Sequence, residues 1–186
     1  MHLTAVNVTD NSKEYEDFIS LYHTAFPPDE LIPEDYLFAS LHMDGAAVAA
    51  YYADDMFVGF TYVIDAPHFL FLYFFAVNPE LRSQGFGSEI IREHLMKRYP
   101  GKPIVLNVEV PDEMAENNAL RLRRIAFYQR AGFVSLKYRF YDKRVLFNIL
   151  STSSELPIDE YEAFLKQVYA VQNLEDTVEI FPYPAV

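Results

Sequence analysis

The chain contains no cysteine and no tryptophan, so a disulfide framework, a thiolate nucleophile and a cysteine metal site are all excluded. Long apolar runs are missing as well. The longest, such as 69–77, fall far short of the ~20 residues that a spanning helix needs, so no membrane segment is predicted. The first residues, Met1-His2-Leu3-Thr4, lack the basic start and apolar core of a secretory signal, and a cytoplasmic location is the expectation. Basic residues are scarce: the formal net charge is −12, which argues against nucleic acid as a partner because such binders meet phosphate with a positive field. His2, His23, His42, His68 and His94 show no spacing that suggests metal ligation, and no metal is expected.

What is present is a chain of 186 residues, 51% apolar, enough for one domain with a substantial core. Its charge is segregated. Residues 1–81 hold 13 acids and one base, Lys13, whereas residues 82–144 hold 13 bases and seven acids. An acidic body with a basic middle third suits a small polyanionic ligand.

Pattern and punctuation predict the elements. Leu3–Val8 reads as a strand, a helix capped by Asn11 or Ser12 runs to Phe26 and stops at Pro27-Pro28, and a second helix follows from Pro33 to Met43. Ala46–Ala53, Met56–Asp65 and His68–Val77 form an antiparallel meander turning at Asp54-Asp55 and Ala66-Pro67. Phe86, Ile90, Ile91 and Leu95 make one helical stripe ending before Pro100-Gly101. A strand at Pro103–Val110 follows, predicted to neighbour His68–Val77 in parallel through a right-handed crossover. Next come a helix from Glu116 or Asn117 to Ala131 and two strands, Phe133–Tyr141 and Val145–Leu150, joined at Asp142-Lys143. An amphipathic helix over Pro157–Val171 and an unassigned tail complete the chain. The class is α+β, with a mixed, mostly antiparallel central sheet flanked by helices.

The segment Val77-Asn78-Pro79-Glu80-Leu81-Arg82-Ser83-Gln84-Gly85-Phe86-Gly87-Ser88 carries the chemistry: a strand runs through a short turn into a glycine-rich helix start. The first N–H groups of a helix have no intrahelical partners and its macrodipole favours anions there. Gly85 and Gly87 remove the side chains that would hold a diphosphate away. A dinucleotide fingerprint wants a third glycine where Ile90 stands, and a P-loop wants Gly-Lys-Ser/Thr where this chain has Gly87-Ser88-Glu89, so neither is completed.

Arg82-x-x-Gly85-x-Gly87, together with the later run from Arg124 to Phe133 that holds Ala126-Phe127-Tyr128 and Gly132-Phe133, resembles the GCN5-related N-acetyltransferase (GNAT) family across residues 1–150. The resemblance implies a GNAT-like acetyltransferase domain there, with residues 151–186 as a C-terminal helical extension and tail on the same domain. It implies acetyl-CoA as co-substrate, with Arg82 among the cofactor-binding residues, the diphosphate held by backbone N–H groups of Gln84, Gly85, Phe86, Gly87 and Ser88, and the pantetheine paired with the backbone of Phe75 and Val77. It also carries the role of general acid over to Tyr128, a phenol able to protonate a departing thiolate. One departure is visible: where many relatives have an Asn seven residues before that tyrosine, this chain has Arg121, with Asn117 and Asn118 upstream.

A protonated amine needs a base before it can attack. Alternation along 104–110 puts Val105, Asn107 and Glu109 on one face, and Glu109 at the strand end is the expected base, directly or through water, with His68 as a second candidate. The expected function is transfer of an acetyl group to a primary amine by direct attack in a ternary complex. The alternative is an acyl-CoA-binding regulatory module without turnover. Asp29, Glu30, Glu34 and Asp35 on the acceptor side would draw a cationic small-molecule or peptide amine, and residues 155–186 would cover a sheet edge or reach a second copy in a homodimer.

Overall fold

A computed structural model describes residues 2–9, 11–26, 31–142 and 145–183. Pro27-Pro28, Asp29, Glu30 and Lys143 lie outside the described residues. The chain folds as two compact units, 1–65 with 70–102, and 66–69 with 103–186.

In the first unit β1 (Thr4–Val8), β2 (Ala46–Ala53), β3 (Met56–Asp65) and β4 (Leu70–Val77) pair antiparallel in chain order. Asp54 makes the β2–β3 hairpin by adopting φ 53°, the left-handed conformation that Asp tolerates better than most residues. Helix α1 (Tyr15–Ala25) and helix α2 (Glu34–Leu41) bury an aromatic layer. Phe18 meets Phe60 edge-on at 4.8 Å, and Tyr22 meets Phe74 at 5.1 Å. The Tyr22 hydroxyl accepts from the Ile32 N–H at 2.7 Å, which satisfies a polar group inside that layer.

Gly59 has a specific task. A Cβ there would lie 2.2 Å from the Ala76 carbonyl oxygen, and backbone cannot yield as a flexible side chain can. Gly59→Ala is therefore expected to lower the free energy of unfolding by about 1–3 kcal/mol. Urea titration checks this; an unchanged midpoint would show that β3 and β4 absorb the methyl.

In the second unit β5 (Ile104–Glu109), β7 (Leu146–Ser151), β6 (Val134–Tyr141) and β8 (Glu179–Pro182) pair antiparallel in that spatial order. The α+β class and the antiparallel strand successions are as the sequence predicts. Helix α4 (Asn118–Arg130) ends at Ala131, where Gly132 takes φ 95°. Helix α5 (Ile158–Ala170) buries Tyr161, Leu165 and Val168, one amphipathic stripe. Strand β8 was not read from the sequence; it covers the β6 edge, one of the two uses expected of the tail.

Candidate active site

β4 delivers the chain to the glycine turn. Its register against β3 slips between Tyr62↔Phe74 and Val63↔Leu72, so Tyr73 is an extra residue in the strand, the kind of bulge that re-aims backbone groups. Phe75 and Val77 lie beyond it, with side chains packed on a cluster formed by Leu3, Tyr51, Val58, Phe86 and Ile90. Phe86 thus contributes its side chain to the core, leaving only its N–H to the turn. Asn78 caps a short 3-10 turn, Pro79–Leu81, by accepting from the Glu80 N–H at 3.2 Å. Arg82 Nε donates to the Val77 carbonyl at 3.2 Å, and Gln84 Nε2 donates to the Glu80 carbonyl at 3.3 Å.

Ser83 and Gly85 both take positive φ, 65° and 90°, on either side of Gln84. Two residues at positive φ within three positions make a tight turn that leads straight into the helix start. Helix α3 (Phe86–Glu89) begins there, and its first helical bond runs from the Glu89 N–H to the Gly85 carbonyl at 3.0 Å. The N–H groups of Phe86, Gly87 and Ser88 precede that bond and have no intrahelical partner. Nothing lies within 4 Å of where a Gly85 Cβ would sit, so the space over the turn is open. These features fit a diphosphate. The helix then continues as a π-helix over Ile90–Met96, burying Ile90, Ile91 and Leu95 as the expected stripe.

In the second unit Glu109 and Tyr128 stand in different surroundings. Glu109 is 3% exposed. Its Oε1 meets Arg121 Nη2 at 2.6 Å, while Oε2 accepts from Asn117 Nδ2 at 3.4 Å and faces Arg124 Nη1 at 3.9 Å. Arg121 also donates to the Asn117 Oδ1 at 2.8 Å and to the Val110 carbonyl at 2.9 Å. The Arg in place of the family's Asn thus turns inward, onto the carboxylate at the end of β5. Tyr128 is 7% exposed, its ring edge-on to Phe127 and Phe133 at 5.1 and 5.3 Å. Among the described residues no hydrogen-bond partner holds its hydroxyl. Burial pushes the Tyr128 phenol up to about 12, against a smaller opposing effect of Arg124.

His68 is more than half exposed and pairs with Glu160 at 2.5 Å. In the first unit His23, Leu31, Ile32, Pro33, Glu34 and Asp35 line an open cavity of about 450 Å³, where His23 Nε2 meets Glu34 Oε1 at 2.8 Å. The positive φ of Ser83 had no readable signal in the sequence. Neither did the bond from the Tyr161 hydroxyl to Asn107 Oδ1 at 3.0 Å, which joins residues far apart in the chain. Among the described residues there is no cluster of metal-ligating side chains and no helix long and apolar enough to cross a membrane.

Residues 44–135 match the family model described as an acetyltransferase (GNAT) domain. Among curated proteins none matches the chain. A putative acetyltransferase of the GNAT family from Bacteroides thetaiotaomicron superposes with a TM-score of 0.73 at 26% identity, over 92% of this chain and 98% of that one. A GNAT family acetyltransferase from Elizabethkingia anophelis with acetyl-CoA bound gives 0.58 at 15% identity, over 81% and 97%. Arabidopsis thaliana Naa50, in complex with a bisubstrate analogue, gives 0.56 at 17% identity, over 81% and 98%. With the glycine turn, the family match and the shared fold in agreement, the chain belongs to the GNAT acetyltransferase family.

Proposed function

We propose that this protein is an acetyl-CoA-dependent N-acetyltransferase that acetylates a primary amine by direct attack in a ternary complex. The observation that carries the proposal is the open turn at Ser83–Gly85, with two positive φ values, set between a bulged strand and a helix start. Acetyl-CoA would supply an activated thioester. The N–H groups from Gln84 to Ser88 would hold its diphosphate, with Arg82 bracing the turn against the end of β4. Backbone groups of Phe75 and Val77, beyond the bulge, would take the pantetheine in the manner of an added strand. Tyr128 serves as general acid: a phenol raised to about 12 keeps its proton through the neutral range.

Glu109, the base expected from the sequence, acts in this reading as an anchor. Both its oxygens already carry partners, so it anchors α4, and with it Tyr128, to β5. The amine's proton then leaves through water. The cavity beside Glu34 and Asp35 favours a cationic amine in the first unit.

Thermal unfolding with CoA tests the donor half of this reading. At 100 times its dissociation constant CoA should stabilise the protein by about 2.7 kcal/mol. Gly85→Val, which forces a β-branched residue to a φ of 90°, should abolish most of that gain. Thiol release over a panel of amines tests turnover. Stabilisation without release from any amine would favour the acyl-CoA-binding module.

A further inference from the structure

Helix α4 carries four arginines and no acidic residue. Two of them, Arg121 and Arg124, share one helical face with Tyr128, at successive spacings of three and four residues. That face meets the end of β5. Arg121 Nη2 lies 2.6 Å from Glu109 Oε1, and Arg124 Nη1 lies 3.9 Å from Glu109 Oε2. Two guanidinium groups therefore face one carboxylate, and these three side chains leave one positive charge on the face that leads to Tyr128.

Arg124 is the member placed to act on the tyrosine. It sits one helical turn before Tyr128, whereas Arg121 sits two turns before it and is engaged with Asn117 and the Val110 carbonyl as well. Burial raises the Tyr128 phenol, and the charge of Arg124 opposes that rise.

The proposed reaction puts negative charge at this place. As the amine nitrogen bonds to the carbonyl carbon of the thioester, the C–S bond breaks and its electron pair stays on sulfur. Tyr128 gives its hydroxyl proton to the sulfur, which leaves a thiol and a phenolate. The proton released by the new amide nitrogen then reaches the phenolate through water. From C–S cleavage until that return the negative charge is on sulfur or on Tyr128 Oη, and Tyr128 is 7% exposed, so burial opposes the charge in both positions. A cation fixed beside a developing charge, away from bulk water, stabilises it more than the same cation would in water.

We propose that Arg124 is a positioning residue for the leaving group: acting on Tyr128 from one turn away, its charge stabilises the anion formed when the C–S bond breaks. The inference rests on the N-acetyltransferase reading, with Tyr128 as its acid. A third of the Arg124 side chain is exposed, so water screens the charge and the effect is that of one moderate electrostatic contact.

The thiol of bound CoA reports that charge without turnover. Ultraviolet absorbance of the thiolate, read over a pH series against a desulfo-CoA complex as blank, gives the pH at which the bound thiol ionises. Arg124→Met keeps the length of the side chain and removes the charge; it should move that ionisation up by about one pH unit, a tenfold change in the thiolate fraction. With acetyl-CoA and an amine, the same variant should lower kcat by about tenfold and leave KM for both substrates within about twofold. Arg124→Lys, which keeps the charge, should restore most of both. Arg123→Met removes a charge of the same sign from the exposed side of α4 and should change neither. An unmoved thiol in Arg124→Met, or an equal shift in Arg123→Met, overturns the proposal. If CoA fails to stabilise the wild type against thermal unfolding, the acetyl-CoA reading beneath it falls instead.

Discussion

Arg121→Ala should lower the free energy of unfolding by about 3 kcal/mol, the largest single loss of stability expected outside the apolar core. The reason is what the substitution leaves behind. Glu109 is 3% exposed, and Arg121 neutralises it at 2.6 Å while bridging to Asn117 and the Val110 carbonyl. Without the guanidinium, a carboxylate stays inside the protein, and among the described residues Arg124, at 3.9 Å, is the cation that still faces it. Partial compensation by Arg124 is why the estimate sits at the lower end for a broken buried pair. The double substitution Glu109→Leu with Arg121→Leu removes both charges together and should cost much less than Arg121→Leu alone. Urea denaturation of the four proteins measures the coupling. A loss below about 1 kcal/mol for Arg121→Ala would mean that the pair does not anchor α4, and Glu109 would return as a candidate base.

The same pair shows what a sequence conceals. Arg121 stood out only as a departure from the family pattern, and Glu109 only as a carboxylate at a strand end. Their reciprocity is a tertiary fact, since alternation along β5 assigns a face but cannot say which helix covers it. Local rules did better where structure is local. The bounds of β2 and β3 agree with prediction to the residue, because both strands are dense in apolar residues and end at an acidic turn that tolerates positive φ. Phe86, Ile90, Ile91 and Leu95 announced a buried stripe, yet that spacing fits an α-helix and a wider i→i+5 turn alike, so the π-helix was not legible. At the glycine turn, Gly85 could be read from chemistry and Ser83 could not: nothing local requires a serine at φ 65° until the cradle around it is built.

Tyr128→Phe should reduce kcat by roughly 10²–10⁴-fold, the range of a lost general acid, while CoA still stabilises the protein as it does the wild type. Removing one hydroxyl leaves the ring's contacts with Phe127 and Phe133 intact, so packing offers no competing explanation. Nor does a lost internal hydrogen bond, because no described residue holds that hydroxyl; folding stability should change by less than about 1 kcal/mol. The phenol's value bears on the pH profile. Burial raises it to about 12, so Tyr128 remains protonated up to about pH 11 and contributes no descending limb below that. An acid this weak can still serve, because an environment that disfavours a phenolate also disfavours a thiolate formed beside it. The rate of the wild type should therefore rise with pH as the acceptor amine loses its proton and then level off, with no fall before about pH 11. A descending limb near neutrality would identify some other acid, and wild-type turnover in Tyr128→Phe would take the tyrosine out of the mechanism altogether.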